Sequence, residues 1–459
     1  MNENTGGETA ELLSAMIRNA CVNYGTPDSG GEARNADTLD AYLGGSGIDV
    51  EHFEPASGRR SCVYKISGTD PNAARLCLMG HTDVVPATPE RWSHDPFGGE
   101  IIDGTVWGRG AVDMLNQTAA MACAMRRLAD AGFRPRGDLI FLAVADEEAG
   151  GIYGAEWILE HDPNAVACDY VITEGGGFVL PDFSRYPAAQ TTPTGPPAVG
   201  VMVGEKGPAA LRVSFEGNPG HGSIPYGADN AVAKAVALSA RLHEFVAEPQ
   251  VSEIWRGLVD AMHWPDDMKQ RLLDPAGLDG AIDEIAETHP QEARVFEACT
   301  HDTLSVNMVE GGTKLNVTAA DAMFSVDQRR LHDEEDDFNT GVREFLGDLL
   351  EPAIVERIWT QPATESPAAT ALWPVLEQAA DAVAGPCRLV PWTAPFTTDA
   401  RFFRALGTTG YGFTLHDESV DLAEWLSRFH GDDERVSVQA LANATGLYEN
   451  IVRGLSQTG

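Results

Sequence analysis

Seven acidic or imidazole side chains recur at one kind of place in this chain, just past an apolar run or just before a helical one. His81 and Asp83 follow ARLCLMG, Asp113 follows WGRGAV, Glu147 and Glu148 close LIFLAVAD, Glu174 closes DYVIT, and His430 lies in RFHGDDERV. Imidazole nitrogen and carboxylate oxygen both ligate divalent cations such as Zn2+, at roughly 2.0–2.2 Å. Two histidines and three carboxylates can hold a pair of ions with one carboxylate bridging. Cations also offset the repulsion that side-by-side carboxylates otherwise suffer. Asp83, two residues beyond His81, points the same way on an extended segment and can accept a hydrogen bond from the free ring nitrogen.

Taken singly, each feature has a plain explanation. An H-x-D is a turn or capping pair, Asp113 a helix N-cap, Glu174 a polar strand exit, and Asp146-Glu147-Glu148 a solvated loop. Their joint placement points to a metal site, because α/β sheets bind ligands beyond the carboxyl ends of their strands. Asp146 needs no role beyond that of a solvated or capping side chain.

The elements that position these groups follow from hydrophobic pattern. Residues 10–45 read as a helix and its exit, residues 74–80 as a buried strand, and DMLNQTAAMACAMRRLADAG as a helix closed by Gly132. DLIFLAVA and ACDYVITE read as two more buried strands, so βαβ units and a mostly parallel sheet are expected. LPDFSRYPAAQTTPTGPPAVG reads as a surface excursion or linker. Beyond it, strand GPAALRVSFEG, helix NAVAKAVALSARLHEFV, a long acidic helical insertion to about Ala298, a hairpin turning at Gly311-Gly312, helix DDFNTGVREFLGDLL and strand PAIVERIWT give a β-α-β-β-α-β order. That order predicts an inserted ferredoxin-like α+β module over residues 203–362, flanked by 1–202 and 363–459 of one α/β domain.

The 459 residues carry a formal charge of −37. Phosphate contacts need a basic footprint, so nucleic acid is excluded as a partner. No apolar run approaches the ~20 residues of a membrane span. The N-terminal segment has neither a basic region nor an apolar core of a secretory signal. Seven scattered cysteines without a C-x-x-C pair read as free thiols in a reducing compartment, and a cytoplasmic location is expected.

Read together and in order, GHTDVVP, WGRGAVDM, ADEEAGG, DYVITEGG, GHGSIPYGADNAV and HGDDERV resemble the M20 metallopeptidase family. The resemblance implies a zinc-peptidase-like catalytic domain with an inserted lid and dimerisation domain, and a homodimer. It implies that His81 and Glu174 bind one zinc, Glu148 and His430 the other, and that Asp113 bridges them. Co2+ or Mn2+ could replace zinc, since ligand type alone does not settle the metal. Glu147 is then the general base and Asp83 orients His81. His221 reaches from the small domain, often that of the partner subunit, to polarise the scissile carbonyl. Asn316 and Arg329 hold substrate polar groups, Arg329 a carboxylate; Arg330, its neighbour, faces the opposite side of a strand. TTDARFFRALG resembles a family segment in which Asp399 or Arg401 supports the pocket.

Two features depart from the family pattern. Asp113 is followed by Met114-Leu115-Asn116-Gln117 rather than Lys-Gly-Gly, and the insertion near residues 248–300, with Trp255 and Trp264, is longer than in compact members. The expected reaction is hydrolysis of an N-acyl amino acid or small peptide with a free carboxylate. An M28-type zinc aminopeptidase orders similar ligands but recognises a free α-amine, and the module bearing GHGSIP argues against it. A non-catalytic binding protein on the same scaffold is opposed by the complete set of ligands and base.

Overall fold

The computed structural model describes residues 3–187, 195–332, 338–417 and 420–457. Its larger sheet has nine strands. Along the sheet run Asp49–Phe53, Ser61–Ile66, Leu139–Val144, Leu76–His81, Tyr170–Thr173, Thr409–Gly412, Ala198–Glu205 and Thr364–Glu365; Arg388–Ala394 also pairs with Ala198–Glu205. The central strands Leu139–Val144, Leu76–His81, Tyr170–Thr173 and Thr409–Gly412 are mutually parallel, and the outer pairs Asp49–Phe53 with Ser61–Ile66 and Thr364–Glu365 with Ala198–Glu205 are antiparallel.

Both faces of this sheet are covered, which is why LCLMGH and LIFLAV are apolar almost throughout and every residue in them is buried. Alternation divides the side chains between two layers. Leu76, Leu78, Phe141 and Ala143 pack with the helices Glu3–Arg18, Leu115–Asp130 and Val438–Leu455. Cys77, Met79, Ile140 and Leu142 pack with Ala155, Ile158 and Phe403 on the other face.

The four-stranded sheet is antiparallel, ordered Thr303–Gly311, Asp321–Arg330, Gly207–Glu216, Ala353–Thr360. With helices Ala231–Leu242 and Thr340–Leu346 this is the ferredoxin-like arrangement, and it has its own core around Leu211, Val213, Phe215, Leu238 and Phe324. The chain leaves the large sheet at Glu205 and enters the small one at Gly207; it returns between Thr360 and Thr364.

Several local expectations are corrected. Residues 10–45 form two helices, Glu3–Arg18 and Ala33–Leu43. The second hairpin strand begins only at Asp321, so KLNV lies in the connection. The segment read as a surface excursion buries Leu180 and Phe183, while residues 188–194 of it lie outside the described residues. The insertion forms four helices, Glu253–Ala261, Asp266–Leu272, Pro275–Ala286 and Pro290–Thr300, and these do not enlarge the lid. Trp255, Trp264 and Phe296 pack into one cluster with Phe178, Phe183, Met202, Trp392 and Trp425, so the insertion covers the large domain. An amphipathic helix pattern gives a buried face but not the partner that covers it.

Candidate metal centre

The site forms where the parallel strands end. His81 is the last residue of Leu76–His81, Glu147 and Glu148 follow Leu139–Val144, and Glu174 follows Tyr170–Thr173. Gly80 lets the first of these strands press against the helix Leu115–Asp130, since a Cβ there would lie 2.4 Å from Thr118 Oγ1. Thr118 in turn donates to the His81 carbonyl at 2.8 Å. Asp113 precedes the same helix without capping it, and the Asp113–Met114 peptide is cis. His430 comes from the turn after Leu422–Arg428, with φ 53°.

These residues converge. His81 Nε2 lies 3.1 Å from Asp113 Oδ1 and 3.8 Å from Glu174 Oε1. His430 Nε2 lies 3.1 Å from Asp113 Oδ2 and 3.2 Å from Glu148 Oε2. The two oxygens of Asp113 are thus divided between two three-residue groups, each with ligand atoms within 4.8 Å of one another. Ligands on one tetrahedral ion at roughly 2.0–2.2 Å sit about 3.3 Å apart, so the spacing fits a divalent cation in each group. Glu148 Oε1 is buried, and among the described residues nothing donates to it.

The electrostatics ask for cations as well. Burial pushes the carboxyls of Glu147, Glu148 and Glu174 up, Glu147 and Glu174 well above their ordinary range. Burial opposes a charge on His81, but Asp113 and then Glu174 outweigh it and raise the ring well above its usual value. His430, likewise opposed by burial, is pushed up to about 11 by Asp113 and Glu148. Asp113, which burial would raise, is held far below the carboxylate range by the two rings. The carboxylates draw positive charge onto both imidazoles, and two divalent ions meet the same demand.

The profile of peptidase family M20/M25/M40 matches residues 77–454. This chain belongs to that family. A probable carboxypeptidase S-like protein of Dictyostelium discoideum is 26% identical over 411 residues, covering 86% of this chain and 74% of that one. Aminoacylase-1 of Sus scrofa is 24% identical over 416 residues, covering 89% and 87%. An M20 family metallo-carboxypeptidase from Sulfolobus solfataricus superposes with a TM-score of 0.70 over 98% of this chain and 100% of that one, at 16% identity. As an M20 enzyme the chain is a metal-dependent amide hydrolase, and the M28-type and binding-protein readings fall away.

The surroundings of the candidate ligands change two readings of single residues. His81 Nδ1 lies 2.9 Å from the Asp83 carbonyl oxygen, whereas the Asp83 carboxylate stands off at 3.6 Å. The carbonyl therefore takes the ring's hydrogen bond. The Asp83 carboxylate instead accepts from the amides of Glu147 and Glu148, at 3.3 and 3.2 Å, and from Asn23 Nδ2 at 2.9 Å. Asp146 is not solvated: it is buried, with φ 71°, and accepts from Arg59 Nη2, Asn23 Nδ2 and the Tyr153 amide. Arg59 also grips the buried Glu32. Glu147 and Glu148 start a one-turn helix, Glu147–Ala149, so the turn and not a strand pleat sends them apart.

Glu434, unremarked within HGDDERV, is fully buried. It accepts from the amides of Gly110, Val112 and Asp113, at 3.1, 2.6 and 2.9 Å, and from Arg109 at 2.8 Å. The small-domain residues lie elsewhere. His221 is exposed, bridges Val317 in the small domain and accepts from the Ser223 amide at Nδ1, 3.2 Å away. Asn316 is exposed beside it, its carbonyl accepting from Gly222. Arg329 lies at the seam between domains, donating to Asp327 at 2.7 and 3.2 Å and to Thr397 at 2.7 Å. Arg330 is buried against Thr360 and Gln361.

Proposed function

We propose that this hydrolase cleaves N-acyl amino acids or small peptides with a free carboxylate, with one zinc ion on His81, Asp113 and Glu174 and a second on Asp113, Glu148 and His430. The division of Asp113 between two ligand groups carries this reading. When bound, the two ions acidify the attacking water and polarise the scissile carbonyl.

The protein's own groups supply the rest. Glu147 is not among the residues of either group, and among the described residues nothing donates to its carboxylate. It takes a proton from the attacking water and hands it to the leaving nitrogen. Asp83 fixes the turn that carries it. Acceptance at Nδ1 leaves the neutral His221 ring its proton on Nε2, the atom that would donate to the developing oxyanion. Arg329 receives the substrate carboxylate and Asn316 a polar group, by resemblance; Arg329 must first give up its paired grip on Asp327.

His221 is brought to the metals by a second copy. The small domain supports this, for Ile224, Tyr226 and Leu315 around His221 are 71%, 100% and 103% exposed, an apolar rim that a homodimer would cover. The seven cysteines are unpaired, which agrees with a cytoplasmic enzyme, and among the described residues no helix is long and apolar enough to cross a membrane.

Glu147→Ala tests the base. The variant should keep two metal ions per chain and lose turnover of N-acyl amino acids; full activity would remove Glu147 from the mechanism. Metal analysis and reconstitution with Zn2+, Co2+ or Mn2+ identify the ion.

A further inference from the structure

One short segment, Thr397 to Arg401, meets both sides of the seam between the domains. Thr397 accepts from Arg329 of the small domain at 2.7 Å. The amide and hydroxyl of Thr398 donate to Glu205, at the outgoing crossing, at 2.7 and 3.0 Å. Glu205 is fully buried and paired with Arg404 at 2.8 Å. On the opposite side the segment meets the turn that carries Glu147 and Glu148. Asp399 is buried against Gly151, where an added Cβ would lie 2.6 Å from its Oδ1.

Arg401 joins the two sides. It is 5% exposed, and its three nitrogens go to three places. Nη2 donates to the Gly150 carbonyl at 2.8 Å, Nη1 to the Thr398 carbonyl at 2.7 Å, and Nε to Gln361 Oε1. Gly150, at φ 101°, closes the Glu147–Ala149 turn. Gln361 is the first residue after the small domain's last strand; its amide donates to Pro208 at 2.9 Å and its carbonyl accepts from Arg330 at 3.2 Å. One planar, rigid guanidinium therefore touches both the base-bearing turn and the returning hinge.

We propose that Arg401 is a positioning residue that sets the Glu147 turn according to the position of the small domain. Gln361 is its contact on the hinge. The inference rests on Glu147 as base, but its physical content is a mechanical link that can be read without turnover. When the small domain closes over substrate, movement at Gln361 passes through Arg401 to Gly150 and brings Glu147 to its working position. The link is a buried guanidinium with hydrogen bonds on both sides, so it needs no titration and no metal contact.

The test uses the full-length, metal-loaded enzyme. Arg401→Ala should lower kcat about tenfold to a hundredfold, the usual cost of losing a residue that orients a site, with KM within about threefold and two metal ions retained. Hydrogen exchange should rise across residues 146–154 and not in the small-domain core. Free guanidinium at non-denaturing concentration should restore part of kcat. Gln361→Ala cuts only the hinge side; it should lower kcat less and add nothing to Arg401→Ala in the double variant. If Arg401→Ala folds poorly, Gln361→Ala alone decides, through kcat and exchange at 146–154. A rise in KM at constant kcat, unchanged exchange at 146–154, or full additivity of the two substitutions would overturn the proposal. An active Glu147→Ala enzyme with the exchange coupling intact would remove the base assignment and leave the link standing.

Discussion

The two domains hold their shares of the site in opposite ways. In the large domain several of the candidate ligands stand on braced positions. His81 is held through Nδ1, Asp113 through its own amide on Glu434, and the Glu147–Glu148 turn through Asp83. In the small domain His221 and Asn316 stand on exposed loops, and Arg329 is engaged with Asp327 and Thr397. The first half is built in advance by one chain. The second, on the reading proposed above, is completed by a second copy of the chain. Preorganisation is therefore concentrated where ions and water are handled, and adaptability where substrates differ.

The largest expected effect breaks the braced half. Asp113→Ala removes a ligand from both groups at once, so the enzyme should lose both ions and fall to background activity. Glu174→Ala and Glu148→Ala should each release one ion preferentially. Metal content per chain, measured on the three variants in parallel, checks this; two ions retained by Asp113→Ala would disprove the shared ligand.

The next effect probes the unbraced half. His221→Ala should lower kcat by about 10²–10³, the range for losing one oxyanion donor, while keeping both ions. If His221 acts across a homodimer, mixing His221→Ala with Glu147→Ala subunits should restore about a quarter of wild-type activity. Half of the dimers are then mixed, and each mixed dimer has one intact composite site. No recovery on subunit exchange would place His221 in its own chain's site.

The contrast also explains what could be read from sequence. The strands LCLMGH and LIFLAV are legible because burial on both faces demands near-continuous apolar runs, and the ligands stand where those runs stop. His81, Asp83, Asp113, Glu147, Glu148, Glu174 and His430 are therefore legible as candidates, whereas their division into ligands and base rests on the family resemblance. The bracing is not legible in this way. Arg59 and Asp146 are 87 residues apart, and Glu434 and Asp113 are 321 apart; no local periodicity encodes such pairs. Asp83 shows the limit of the alternation rule. Side-chain alternation places its carboxylate on the side of His81, but the chain leaves the strand at His81, the carbonyl takes the ring, and the carboxylate turns to the Glu147 amides. The four helices of residues 253–300 show the same limit at larger scale, since amphipathicity gives a buried face and not its partner.

Glu434 gives the smallest and sharpest test of the braced half. Its carboxylate accepts from three amides of the loop 110–113 and one guanidinium, and Arg109 Nη2 also donates to the His430 carbonyl at 3.3 Å. The loop bearing the shared ligand is thus tied to the turn bearing His430. Glu434→Gln keeps the shape but replaces an acceptor oxygen with an amide NH2 facing the same N–H donors, so one of those bonds must be lost and the opposing charge on Arg109 is left buried. Metal affinity should fall about tenfold to a hundredfold, the range for substitutions behind a ligand. Turnover at saturating metal should recover most of its value, because neither Glu147 nor the ligands are altered. Titrating activity against free metal separates the outcomes: a shifted midpoint with a preserved plateau fits a brace, whereas a lowered plateau with an unshifted midpoint would mean that Glu434 acts on the reaction and not on the site's assembly.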